Sequence, residues 1–63
     1  MYKGTSPSQE KTAQAVFSLL KMTNPDCTMG YSLNQDTGYL TIDIEENNKT
    51  CMGFTINRNG TII

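Results

Sequence analysis

The chain has 63 residues, five basic and six acidic side chains, net charge −1 and no histidine. That length holds one domain at most, and such a chain buries only roughly 60% of the surface its unfolded form exposes, so a staple is expected: a disulfide, a metal or a partner subunit. Lys3, Lys11, Lys21, Lys49 and Arg58 are scattered singly, which excludes the basic stripe of a nucleic-acid binder. No stretch approaches the ~20 apolar residues of a membrane span.

Residues 1–5 read as a loose arm with Tyr2 as its one large apolar anchor. A helix is predicted over 7–22. Ser6 is the N-cap, Pro7 suits the first helical position, and Gln9 completes a capping box. Glu10 and Lys21 complement the helix dipole at its two ends. Ala13, Val16, Phe17 and Leu20 recur at i, i+3, i+4 and i+7, and Leu19 and Met22 widen the stripe. Asn24-Pro25 ends the helix, because a residue before proline is pushed out of the α region.

From residue 27 onward the period changes from 3.6 to two. Met29, Tyr31 and Leu33 alternate with polar or small residues, then Leu40, Ile42 and Ile44, then Met52, Phe54 and Ile56. Alternation of this kind makes strands with one buried face, and the short gaps make hairpins. Leu33 opposite Leu40 leaves Gln35-Asp36-Thr37-Gly38 as a loop. This register also sets Tyr31 against Ile42 and Met29 against Ile44, so every pair shares the apolar face. A second turn in Glu46-Asn47-Asn48-Lys49 sets Ile44 against Met52, Ile42 against Phe54 and Leu40 against Ile56. Asn59-Gly60 signals a third turn. With Arg58 facing Thr61, a short fourth strand would bring Ile63 to Ile56 on the core face and turn Ile62 away. The expected fold is α+β, with one N-terminal helix packed on a three-stranded antiparallel meander and a short fourth C-terminal strand, all in a single domain over 1–63 with the sheet in 27–63.

The same register composes the outer face. Thr41 lies between Ser32 and Thr55, Tyr39 between Asn34 and Asn57, and Asp43 between Gly30 and Gly53. Glycine packs nothing within a strand, so two of them beside one carboxylate suggest close approach by another surface. Tyr39 is the natural anchor there, being large, rigid and amphipathic. Thr61, Ile62 and Ile63 form a second candidate, an uncharged edge open to strand addition. The candidate partner-binding residues are therefore Gly30, Tyr39, Thr41, Asp43, Gly53, Thr61, Ile62 and Ile63.

No catalytic set emerges. Asp43 and Glu45 share a face, but a single sheet offers them no cleft or basic partner. Cys27 and Cys51 lack a histidine to activate them and a C-x-x-C spacing to bind metal. They flank the middle strand, and two strand spacings are roughly 9.6 Å, beyond the ~7 Å reach of a disulfide. Two free thiols in a reducing compartment are expected. No cofactor, metal, nucleic acid or membrane partner is expected. Met1-Tyr2-Lys3-Gly4 leads into a polar segment rather than a secretory signal, and the expected location is cytoplasmic.

The functional expectation is a non-catalytic protein-binding module. Its concrete form would be a small inhibitor of the anti-defence type carried by phages or mobile elements, docking sterically on a host protein. The alternative is a self-assembling structural or adaptor subunit working as a homodimer, and a homodimer is also the expected staple. Nucleic-acid binding through the sheet face ranks lower, because Asp43 at its centre repels phosphate.

Overall fold

A computed structural model describes residues 1–63, with helix α1 at Pro7–Thr23 and strands β1 at Thr28–Leu33, β2 at Leu40–Glu46 and β3 at Lys49–Ile56. The strands form one antiparallel sheet in the order β1-β2-β3. The helix start is locally encoded. Ser6 Oγ accepts from the Gln9 amide at 3.1 Å, and Gln9 Oε1 accepts from the Ser6 amide at 2.9 Å, which satisfies two amides that an α-helix leaves without partners. At the other end Asn24 donates its amide to Leu20 O at 2.8 Å, and Pro25 follows.

The register of the sheet is the one set by alternation. Met29, Tyr31 and Leu33 oppose Ile44, Ile42 and Leu40, and these in turn oppose Met52, Phe54 and Ile56. In the first loop Asn34 Oδ1 accepts from the amides of Asp36 and Thr37 at 2.9 and 3.2 Å, while Gly38 sits at φ 77°. The second hairpin turns through Asn47 and Asn48 at φ 54° and 65°, the left-handed pair that a two-residue turn needs to match strand twist. One irregularity was not legible in the alternation. Ile44 opposes Met52 but Glu45 opposes Thr50, so Cys51 is an extra, bulged residue.

A fourth strand does not form as expected. Residues 61–63 lie along β3 through a single bridge, and it joins Ile56 to Ile62 rather than Ile63. The shift of one residue follows from the turn chemistry. Asn57 Oδ1 accepts from the amides of Asn59 and Thr61, both at 3.0 Å, and Gly60 takes φ 87°. The loop is therefore the three residues Arg58-Asn59-Gly60, a length that places its glycine in the left-handed region. The two-residue turn read from Asn59-Gly60 would have set Arg58 opposite Thr61.

The core is Ala13, Cys27, Leu40, Ile42, Ile44 and Ile56, with Phe17, Leu20, Met29, Leu33 and Phe54 packed around it. The apolar stripe of the helix is narrower than predicted, since Leu19 and Met22 are exposed. Hydrogen bonds then fix where the helix sits. Ser6 Oγ donates to Arg58 O at 2.8 Å and Thr12 Oγ1 donates to Gly60 O at 2.7 Å. A Cβ on Gly60 would lie 2.8 Å from Ser8 O, so glycine is required there by close approach as well as by φ. These ties hold the first turns of α1 beside the segment that follows β3, and β3 is the strand α1 approaches most closely.

The arm at residues 1–5 has no regular structure but is tied to the body. The Tyr2 amide donates to Gln35 O at 2.9 Å, and the Arg58 guanidinium carbon lies 4.7 Å from the centre of the Tyr2 ring. Arg58 Nη1 also donates to Gly4 O at 2.7 Å.

Candidate binding surfaces

On the outer face the sequence-predicted residues come together by register. Thr41 opposes Ser32 and Thr55, and Asp43 opposes Gly30 and Gly53. Tyr39 is 42% exposed and its carbonyl accepts from the Asn34 amide at 2.9 Å. The two glycines are not equivalent. A Cβ on Gly53 would lie 3.1 Å from Asp43 Oδ1, whereas one on Gly30 would meet nothing nearer than Asp43 O at 4.0 Å. Gly53 thus makes room for the exposed Asp43 carboxylate leaning across the outer face, whereas Gly30 faces open space. The molecule's two recesses are both lined by residues of α1 or its C-cap and do not open on this face.

The C-terminal candidate is separate from that face. Thr61 O accepts from the Asn57 amide at 2.9 Å and the Ile63 amide donates to Thr55 O at 2.8 Å. Residues 61–63 therefore cover the end of the β3 edge, with Ile62 and Ile63 still exposed.

A third surface was missed by alternation. Tyr31 has core-face parity, yet it is 68% exposed. The reason is the position of α1. Anchored at Arg58 and Gly60 by its first turns, it covers the middle strand, where Leu40, Ile42 and Ile44 are buried, and leaves part of both margins open: Met52 on β3 is exposed as well as Tyr31 on β1. A recess of about 290 Å³ opens at the β1 margin, between Glu10, Ala13 and Gln14 on the helix and Met29, Tyr31 and Leu40 on the sheet. Periodicity says which side chains share a face, but not how far across that face a helix reaches.

The backbone of β1 is open on the same side. Asn34 donates its amide to Tyr39 O, and antiparallel hydrogen-bonded pairs recur at every second residue. Thr28, Gly30 and Ser32 therefore direct their amides and carbonyls to β2, and Met29, Tyr31 and Leu33 direct theirs outward. The same counting puts the outward groups of β3 at Gly53, Thr55 and Asn57, and the C-terminal residues bond at the last two of these.

The second recess, about 230 Å³, is lined by Leu20, Cys27, Ile44, Glu46, Cys51 and Met52 among others. The bulge accounts for Cys51 lying on the lining, since alternation alone would turn it away. Both cysteines are free, Cys27 buried and Cys51 exposed. No group of three or more His, Cys, Asp or Glu side chains is placed to hold a metal ion. No helix is long and apolar enough to cross a membrane.

No protein-family model, curated protein or solved structure matches the chain.

Proposed function

We propose that this chain is a non-catalytic protein-binding module and that its binding surface is the β1 margin. The reading rests on one observation: an exposed tyrosine on the core side of an edge strand, beside an apolar recess and a run of unpaired backbone groups. A binding surface needs a large rigid anchor, a concavity and unsatisfied polar groups in fixed positions, and this margin has all three. The partner such a margin takes is a protein strand: that of a second copy in a homodimeric adaptor, or that of a host protein in a steric inhibitor of the anti-defence type. The outer face around Tyr39, Thr41 and Asp43 is a second reading, favoured by the open space at Gly30.

Capture of partners by cross-linking tests the choice. Tyr31→Lys is expected to abolish capture and Tyr39→Ala to leave it intact. The opposite pattern would move the site to the outer face. Capture unchanged in both variants would remove both readings.

A further inference from the structure

The β1 margin, on which the proposed binding function also rests, is self-complementary. We infer that its occupant is a second copy of this chain, paired β1 to β1 antiparallel about a two-fold axis at Tyr31, so that two three-stranded sheets join into one of six strands.

Four observations carry this. First, β1 is the unguarded edge. Its sequence Thr28-Met29-Gly30-Tyr31-Ser32-Leu33 has no charge, proline or bulge, and edges without such devices pair with other strands. The β3 edge is blunted by Lys49, by the bulge at Cys51 and by residues 61–63. Second, the outward backbone groups belong to Met29, Tyr31 and Leu33. A two-fold axis at Tyr31 sets Tyr31 against Tyr31 of the second copy and Met29 against its Leu33. All three residues then exchange hydrogen bonds, which is the closely bonded pairing of an antiparallel ladder.

Third, an axis perpendicular to the sheet keeps both helices on one side. The apolar residues Met29, Tyr31 and Leu33 of each copy then meet on that side, where the two recesses merge and the tyrosines fill them. A shift of one residue would set apolar against polar side chains. Fourth, the accessible surface is 4411 Å² for 7.0 kDa, against roughly 4,000 Å² for a folded monomer of that mass. An interface built on one strand and its flanking recess is small beside the ~800 Å² each partner contributes to an interface of standard size, so the dimer is expected to be in measurable exchange with monomer.

Sedimentation equilibrium under reducing conditions over a wide concentration range reads the association, and engineered thiols read the register. The wild-type mass is expected to rise from 7.0 kDa towards twice that value. Tyr31→Lys, acting twice across the axis, should raise the dissociation constant at least about tenfold with an unchanged circular dichroism spectrum. In a Cys51→Ser background, Gly30→Cys with Ser32→Cys should cross-link two copies on oxidation, because this register sets residue 30 opposite residue 32 in a closely spaced, non-hydrogen-bonded pair. Neither substitution alone should do so.

A wild-type chain that stays monomeric throughout overturns the inference. A dimer unaffected by Tyr31→Lys does the same, as does cross-linking by Gly30→Cys alone, which would place the axis at residue 30. Should Tyr31→Lys fail to fold, the thiol pair decides by itself. A monomer that still loses partner capture on Tyr31→Lys would overturn the second copy but leave the binding function in place, with a strand of another protein as occupant. A monomer whose capture is indifferent to Tyr31 would sink both.

Discussion

Gln9 is the residue on which the placement of the helix turns. It is fully buried, and both halves of its amide are used. Nε2 donates to Gly38 O at 2.7 Å and Ile56 O at 3.2 Å, while Oε1 accepts from the Ser6 amide and from Arg58 Nη1 at 3.3 Å. One side chain thus caps the helix and joins it to the ends of β2 and β3. Replacing Gln9 with Leu leaves two carbonyls without this donor in a buried site, and should cost about 2–3 kcal/mol in urea unfolding. That is a large share of the ~3–9 kcal/mol expected for a domain of this length. Gln9→Glu should also destabilise, because a carboxylate cannot donate to carbonyl oxygens.

Arg58 acts one step further out, bonding Gly4 O and Gln9 Oε1 and lying against the Tyr2 ring. In Arg58→Ala the Tyr2 amide, bonded to Gln35 O in the wild type, is expected to lose its protection from hydrogen exchange. The amides of β2 should keep theirs.

Among the elements, the three turns are built by different chemistry although each is rich in Asn or Gly. The first uses the Asn34 side chain and Gly38, the second uses two left-handed asparagines, and the third uses Asn57 and Gly60. Asparagine tolerates the left-handed region better than other non-glycine residues, and alanine does not. Asn48→Ala should therefore destabilise the β2–β3 hairpin by about 1 kcal/mol, whereas Asn48→Gly should be neutral or stabilising in the same thermal unfolding assay. The third turn shows why a dipeptide signal is incomplete. Asn59-Gly60 does mark a turn, but the Asn57 side chain bonds across it and lengthens the loop to three residues. That single residue exchanges the roles of Ile62 and Ile63 opposite Ile56.

Taken as a whole, the molecule is a helix laid over the middle of a sheet whose β1 edge has no partner strand. Hydrogen exchange should show this directly. In dilute monomer the Met29, Tyr31 and Leu33 amides should exchange fast while those of Gly30 and Ser32 are protected, an alternation that only an open edge produces. At concentrations where the second copy binds, the fast set should slow.

By itself the sequence determined the helix with its capping box, both long hairpins and every apolar pair in the sheet, because capping and alternation are local rules that each few residues satisfy independently. It also composed the outer face around Tyr39, Thr41 and Asp43, since the face of a strand follows from register alone. Only the tertiary structure decided where the helix lies across the sheet, because that depends on hydrogen bonds between residues some fifty positions apart, such as Ser6 with Arg58 and Thr12 with Gly60. The same placement decided that Tyr31 is exposed rather than buried, which adds the β1 margin to the surfaces that alternation had composed.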